Sequence, residues 1–423
     1  MTVFSAKIEA GRIMHESSFG NDGSGTLGNY VYVPFREGTS KLTLQKPKES
    51  PAHTQQRVDG HETGITMPKS ATWEFEVNLA TFTTRADNTI AAVQSWLGIF
   101  LETYLGAKHL MTGTQVNDAG ADANDWDALV ATTLRPGAAV GLYRPSDGLW
   151  EVREIKSKTG SNIVLKHNTS FSPGNGDPVL GSATYYANPR TTGAEAKSIG
   201  AVLEGYTTTD KYVCRGGGVT ACELILEKGQ IPRFKFTVTF ATWDYADGAN
   251  AAANLQATIL DEATYLHTNT MVLANSTLMV GTVGTAALTH SSLDTSAIAF
   301  SFAISHQKVP TVGGTMNVAQ FARVHVSPLG QLKLTLAYED QTWFDYRDND
   351  TILSSMLQIG DNDNNEGMVA FSWPNLQVKD VQRVEVDGLS YQEVTLDPRH
   401  DTDTTAERGY EGLAQSAFRI HQL

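Results

Sequence analysis

The sequence predicts a mainly β protein with some helix, an α+β fold of two related β-sandwich or β-barrel domains that each carry one packed amphipathic helix. A segment of alternating apolar and polar residues occurs twice, and a segment with helical periodicity follows each copy. The composition agrees, because 37 glycines and only 18% charged residues are typical of strands and turns. With 423 residues the chain is too long for one ordinary core, which favours two domains.

The repeated segment reads TWEFEVNLATF at residues 72–82 and PRFKFTVTFATW at residues 232–243. When Phe75 is aligned with Phe236, aromatic and β-branched residues coincide, and so do the polar residues between them. This period of two predicts a strand with one buried face in each copy. We expect a hairpin partner just upstream of each, HETGITM closing through Pro68-Lys69 and CELILEK closing through Gly229.

A helix is predicted after each of these strands. Apolar residues with helical spacing run from Ile90 to Leu105, with Asp87 or Asn88 suited to the start of the helix and Gly106 to its end. A weaker apolar stripe from Ala252 to Leu266 predicts the second helix. The order strand, short loop, helix therefore occurs twice, which indicates duplication of a whole domain.

Most of the remaining chain is predicted to be strands. Asp-Gly pairs at residues 147–148 and 387–388 predict hairpin turns, Gly313-Gly314 is a third candidate, and QLKLTLAYE alternates as a strand does. The small polar residues at about 187–200 predict a linker. The first domain would then be residues 1–190, with extra hairpins within 134–186, and the second residues 200–423.

The sequence contains no recognisable motif for a catalytic, cofactor or metal site, and we expect that the protein is not an enzyme. The acidic segment that begins at Asp361 lacks the glycine and glutamate that a calcium loop needs at its sixth and twelfth positions. We interpret it as a solvated turn, together with RDND at 347–350 and DPRHDTDTT at 397–405. The pairs His15-Glu16 and His61-Glu62 lack further ligands at a suitable spacing.

Charge and cysteine content restrict the partners and the compartment. A net charge of −14 without clustered Lys and Arg argues against a surface that binds nucleic acid. Cys214 and Cys222 are expected to be free thiols in a reducing compartment, although they could face each other across a hairpin. We read no signal peptide and no apolar stretch long enough to span a membrane, and therefore expect folding in a cytosol.

The duplicated unit resembles the tail tube proteins of tailed bacteriophages. The similarity is clearest across residues 200–423, in the lead-in from Gly205 to Trp243 and in the closing stretch AFSWPNLQVKDVQRVEVDGLSYQEVTLDPRHD. That stretch has the family's proline-containing strand at Pro374 and its hairpin around Gly388. The similarity is looser across residues 1–190, and 134–186 depart most from the pattern.

The resemblance implies a structural virion protein of the phage tail, made and assembled in the cytoplasm of the host bacterium. Rings would stack into a hollow tube through which DNA passes without specific binding, and the net negative charge suits such a conduit. Two domains per chain imply trimeric rings with pseudo-six-fold symmetry, with hexamers as the alternative. The implied partners are further copies, the tape measure protein, the tail terminator and baseplate proteins.

Within that family, polar residues of the repeated strands would face the lumen or a neighbouring subunit. The candidates are Glu74, Glu76, Asn78, Lys235, Thr237 and Thr239. One alternative is a distal-tail or baseplate ring protein, which stoichiometry would distinguish. Another is a carbohydrate-binding tail protein, which needs exposed aromatic residues, whereas Trp73 and Trp243 are expected in cores and Trp96 on a helix face.

Overall fold

The computed structural model describes most of the chain. The described residues are 2–17, 19–20, 30–46, 48–49, 65–66, 69–79, 96–146, 148–187, 197–205, 210–227, 230–245, 277–283, 289–290, 295–302, 304–310, 318–324, 330–337, 341–360, 368–386 and 388–423. In these segments strands predominate, which confirms the predicted mainly β class with some helix.

The elements are numbered in chain order. Those up to residue 187 are β1 (Thr2–His15), β2 (Val31–Tyr32), β3 (Lys41–Lys46), β4 (Lys48–Glu49), β5 (Ile65–Thr66), β6 (Ser70–Asn78), α1 (Trp96–Leu105), β7 (Gly106–Leu110), β8 (Thr114–Gln115), β9 (Asp125–Asp127), β10 (Ala139–Arg144), β11 (Leu149–Thr159), β12 (Asn162–Leu165), β13 (Pro178–Leu180) and β14 (Ala183–Ala187). Those that follow are β15 (Ile199–Gly205), β16 (Lys211–Glu227), β17 (Arg233–Tyr245), β18 (Thr277–Thr282), β19 (Thr289–His290), β20 (Thr295–Phe302), β21 (Ser305–Pro310), β22 (Val318–Val324), β23 (Gly330–Ala337), α2 (Thr342–Asp348), β24 (Ile352–Ile359), β25 (Val369–Val386), β26 (Leu389–Arg399), α3 (Glu411–Gln415) and β27 (Arg419–Gln422).

The two repeated segments form β6 and β17, and these strands pair with each other. The pairing is antiparallel and places Phe75 opposite Phe236, the two residues on which the sequence repeat aligns. A local two-fold relation therefore passes through this pair, with Val77 opposite Phe234 on one side and Trp73 opposite Val238 on the other. The alternation is confirmed, because all six of these side chains are buried.

Six strands around this pair form a closed cycle of antiparallel pairings in the order β1, β3, β6, β17, β16, β15 and back to β1. Helix α1 packs against the cycle. The Phe100 ring stacks on Phe236 at 4.9 Å between centroids and lies 5.2 Å from Phe75. The aromatic residues that the repeat places on one face thus share one core with the helix that follows the first copy.

The other strands of the large sheet extend from this cycle. Strand β16 also pairs with β20, and the order continues through β23 and β26 to β25. From β25 the terminal strand β27 leads to β14 and β7 on one side, while β24 and β18 follow on the other. Phe371 of β25 lies 6.3 Å from Phe234, so both parts contribute to one hydrophobic core.

Residues 114–180 form a separate sheet, which we call the insert module. Its six strands lie in the order β8, β13, β10, β11, β12, β9, around a core that includes Trp126, Val140 and Ile155. The C-terminal helix α3 adds Leu413 to this core. A Cβ atom at Gly137 would lie only 2.8 Å from the Leu413 carbonyl oxygen, and Gly137 has φ +88, so glycine is required there.

Several local predictions are confirmed. The Asp-Gly hairpins join β10 to β11 and β25 to β26. Pairing of β21 with β22 agrees with the third candidate hairpin, whose turn lies outside the described residues. β16 and β17 form the hairpin expected around Gly229, β23 alternates as predicted, and α1 ends at Gly106.

Two local predictions are wrong. HETGITM does not pair with β6: its described residues Ile65 and Thr66 pair with β4, and β6 pairs instead with β3, whose Leu42 and Leu44 continue the buried face. Helix α1 is also not amphipathic in its setting, because all ten of its residues are buried, Glu102 and Thr103 included. A helix between two layers of strands has no solvent-facing side.

Other predictions fall on undescribed residues. The start of the first helix, the whole second helix, the acidic segment at 361–367 and most of the linker lie outside the described residues. The division into domains 1–190 and 200–423 stays a prediction, and hydrogen-bonded pairs cross it between β6 and β17, β1 and β15, and β14 and β27. No helix in the described segments is long and apolar enough to span a membrane.

Candidate functional site

The six candidate residues lie together on one surface. Strict alternation along β6 and β17 puts them on the side opposite the aromatic core. We call the outer side of four adjacent strands the outer face, defined by Lys41, Thr43, Thr72, Glu74, Glu76, Asn78, Thr220, Ala221, Glu223, Arg233, Lys235, Thr237 and Thr239. Glu74 and Lys235 are exposed, and the other four candidates are half-buried.

The register sets charges of opposite sign beside each other on this face. In one row Lys41 of β3 lies opposite Glu74 of β6. In the next row Glu76 lies opposite Lys235, which in turn lies opposite Glu223 of β16. Opposite charges at cross-strand positions stabilise a sheet, each pair by roughly 0.2–1 kcal/mol.

Hydrogen bonds and ion pairs fix several side chains of the outer face. The Glu76 carboxylate lies 3.3 Å from Arg233 Nε and 3.4 Å from Arg36 Nη1. A row of threonines runs beside the charged rows, with the Thr220 and Thr239 hydroxyls 3.2 Å apart. The outer face is therefore polar, with short side chains along one margin.

A second polar cluster lies at the junction between the insert module and the C-terminal segment, and sequence reasoning missed it. Arg419 of β27 lies 2.8 Å from Glu154 of β11 and 2.9 Å from Asp401. Lys166 lies 2.9 Å from the other oxygen of Asp401. His421 completes this buried ionic cluster at 3.3 Å from Glu154.

The interpretation of DPRHDTDTT as a solvated turn is wrong for Asp401, which is 3% exposed. Its carboxylate accepts hydrogen bonds from the Thr404 amide and hydroxyl and from the Asp403 amide, besides its two ion pairs. The sequence contains only a weak indication of this buried cluster. Arg419 and His421 alternate with apolar residues at the end of the chain, and nothing in that pattern indicates the acids that they meet.

The cluster controls the ionisation of its members. Burial alone would raise the pKa of Glu154 and of Asp401, but the Arg419 guanidinium and Lys166 hold both pKa values below their usual range. Burial lowers the pKa of His421, against the opposing effect of Glu154. The carboxylates are therefore ionised and the imidazole is neutral near pH 7.

This cluster superficially contains a Ser-His-Glu set, but its geometry does not suit nucleophilic catalysis. Ser372 Oγ and Glu154 Oε1 both contact His421 Nε2, at 3.0 and 3.3 Å, whereas Nδ1 contacts the Thr184 hydroxyl at 2.9 Å. In a catalytic triad the acid and the serine hydroxyl contact different imidazole nitrogens. All four side chains are buried, so no substrate reaches Ser372.

Glu102 of α1 is a third buried acid with several partners. It lies 2.7 Å from Lys197, 3.2 Å from Lys108 and 3.3 Å from His15. Burial opposes its ionisation, but hydrogen bonds to His15 and Lys197 and the charge of Lys108 hold its pKa well below the usual range. These contacts tie the helix to β1, to β7 and to Lys197, two residues before β15.

The cysteines and the tryptophans considered above are buried in the fold. Cys214 and Cys222 are free thiols, as predicted; both are buried on the same strand, and burial raises the pKa of each. Trp73, Trp96 and Trp243 are buried, as expected. Among the residues that the structure describes, no group of three or more His, Cys, Asp or Glu is arranged to hold a metal ion. His61-Glu62 lies outside them.

Comparison with known protein families finds no family model that matches this chain, and no curated protein matches its sequence.

Proposed function

We propose that this chain is a structural protein of a phage tail, whose copies assemble into stacked rings that form the hollow tail tube. The similarity of the duplicated strand-and-helix unit to tail tube proteins is one support. The outer face carries the proposal: a charge-balanced sheet surface that backs onto an aromatic core, with its acids and bases already in register. Such a surface is suited to contact with another protein surface or with the lumen.

On this proposal the chain is part of the virion, assembled in the cytoplasm of the host bacterium. DNA and the tape measure protein occupy the lumen, and the tail terminator and baseplate proteins bind the two ends of the tube. No enzymatic activity, cofactor or membrane contact is assigned. A strongly acidic protein repels DNA overall, which favours its passage over its binding.

The β6–β17 pair does not by itself determine the number of chains in a ring. A rotation about a ring axis preserves strand direction, whereas β6 and β17 run antiparallel and are related by a local two-fold. Within one chain this pair therefore does not supply the pseudo-six-fold step. The two related segments in each chain are the reason that we propose three chains per ring, with six as the alternative.

Negative-stain electron microscopy of the purified protein at rising concentration, with mass photometry of the same samples, tests the proposal. Hollow rings or tubes with mass steps of three or six chains are the expected result. Closed rings that never stack would instead indicate a distal-tail or baseplate ring protein. A protein that stays monomeric and binds oligosaccharide would overturn the proposal in favour of a carbohydrate-binding tail protein.

A further inference from the structure

We propose that the outer face binds the same face of a second copy, in a closed dimer that covers this surface before assembly. The inference rests on the proposed function, because it assigns a regulated state to the surface that the tube requires. An isologous contact closes on itself and cannot propagate a tube. A dimer of this kind would keep free chains out of the polymer until assembly begins.

Charge balance distinguishes this face from the rest of the chain. The whole chain carries a net charge of −14. The outer face carries three bases, Lys41, Arg233 and Lys235, and three acids, Glu74, Glu76 and Glu223. Arg36, which pairs with Glu76 at its margin, brings its net charge to only +1. Two copies therefore approach through this face without the repulsion that most of their acidic surface would produce.

The arrangement of the charges is complementary to itself. A two-fold axis that lies between the two copies, parallel to the strands and over the line between β6 and β17, places β6 of one copy over β17 of the other. Because Glu76 and Lys235 lie opposite each other in the sheet, this operation sets Glu76 of each copy against Lys235 of its partner. The same operation sets Glu74 against Thr237, so no row meets a like charge along these two strands.

The size of the face sets the strength of the contact. Four strands about 4.8 Å apart and seven residues at about 3.3 Å each cover at most roughly 400 Å² per copy, because strands of a closed cycle curve away at the margins of the contact. The buried total of roughly 800 Å² lies below the range of stable complexes and within that of weak or transient ones. We therefore expect a dissociation constant of about 1 μM or weaker, which suits a contact that assembly must displace.

Two double variants test the contact. E74K/E223K makes the outer face more basic by four charges, and K41E/K235E makes it more acidic by four, with all four residues exposed. Each variant should repel its own copies, and its dimerisation should be at least about tenfold weaker than that of the unmodified chain. An equimolar mixture of the two should dimerise again, because opposite faces then meet.

K333E/K379E is the matched control: it reverses two exposed lysines on β23 and β25, outside the outer face, and should leave dimerisation unchanged. Sedimentation velocity at low and high salt gives the readout, with circular dichroism to establish that every variant is folded. A wild-type dimer that both outer-face variants lose, and that their mixture restores, supports the proposal. A wild-type chain that is monomeric at all concentrations, or dimers that both variants keep, would overturn it.

Electron microscopy of the same samples separates this proposal from the tube. Dimers with the expected charge dependence but no rings would support the contact and reject the proposed function. Tubes that form without any dimer that depends on the outer face would reject the contact and leave the proposed function standing.

Discussion

The pair of β6 and β17 and the junction between the insert module and the C-terminus both join distant parts of the chain, by different physics. At the pair, aromatic residues from two similar segments pack in one core, with Phe75 and Phe236 5.8 Å apart. At the junction, Arg419, Lys166, Glu154 and Asp401 are buried together. Apolar burial is favourable and non-directional, whereas buried charges contribute only when each finds its partner.

That difference determines how much stability each region loses when a side chain is removed by mutation. A cavity in an aromatic core costs the lost contacts, and neighbouring rings can move partly into the space. A buried ion without its partner keeps its full desolvation penalty, and packing cannot relieve it. The junction should therefore be the more fragile of the two, although fewer side chains form it.

The largest effect is expected from Arg419→Met. It leaves Glu154 and Asp401 without their shared guanidinium, and Leu413 and Ala414 without the hydrogen bonds that Arg419 donates to their carbonyl oxygens. We expect the free energy of unfolding to fall by about 3–5 kcal/mol, measured by urea denaturation. Lys333→Met, which removes the exposed ion pair with Glu393, is the control and should cost less than about 1 kcal/mol. Equal losses in the two variants would contradict this view of the junction.

Phe236→Ala removes one ring of the aromatic pair and should cause the second largest loss of stability. Phe236 is fully buried and stacks on Phe100 and Phe234. Removal of a buried phenyl ring costs about 3–5 kcal/mol, and we expect about 3 kcal/mol here because three neighbouring rings can relax into the space. The urea midpoint measures the loss. A loss larger than that of Arg419→Met would reverse the ranking of the two regions.

Acidification should affect the junction more than the aromatic pair. Glu154 and Asp401 have folded pKa values below their ordinary values of 4.5 and 3.8, so their contribution to stability is complete above those values and is lost as the pH falls. His421 has a folded pKa below 6.5, so its contribution is also complete above pH 6.5 and declines below it. Each unit of pKa difference corresponds to about 1.4 kcal/mol.

Urea denaturation at pH 7, 5.5 and 4 measures this dependence, and the stability should fall at each step. Arg419→Met is the informative variant here as well, because without the guanidinium the two carboxylates lose the main cause of their lowered pKa values. Its stability should depend less on pH than that of the unmodified chain. Phe236→Ala should keep the original dependence, and the same slope in all three proteins would locate the acid-sensitive groups elsewhere.

The same contrast explains what the sequence could predict. Alternation of Trp73, Phe75 and Val77 is visible in the sequence, so the repeated strands and the side occupied by the candidate residues could be predicted from it. The Asp-Gly pairs likewise predicted two hairpin turns. The strand that pairs with β6 could not be predicted in this way, because both HETGITM and KLTLQK, the sequence of β3, satisfy the local pattern. The structure shows β3 in that position, where Leu42 and Leu44 extend the buried face.

The ionic cluster could not be predicted for a different reason. Its members come from residues 154, 166, 401, 419 and 421, and their pairing depends on the placement of the insert module against β27. A charged residue in a polar segment usually lies in solvent, so Asp401 was placed there. Sequence pattern specifies the faces of single elements, whereas the pairing of buried charges requires the tertiary arrangement.

The smallest effect is expected from Thr237→Val, one residue from Phe236 on the same strand. Thr237 is half-buried on the outer face, and valine keeps its shape and its preference for strands, so the free energy of unfolding should change by less than about 0.5 kcal/mol. Urea denaturation of dilute protein tests this, in parallel with Phe236→Ala. A loss of more than about 1.5 kcal/mol would mean that the hydroxyl is required in the isolated chain and that this side of the strand is as tightly constrained as the core. A small change would show that alternation along one strand separates a side on which stability depends from a side that is free to serve contacts with other molecules.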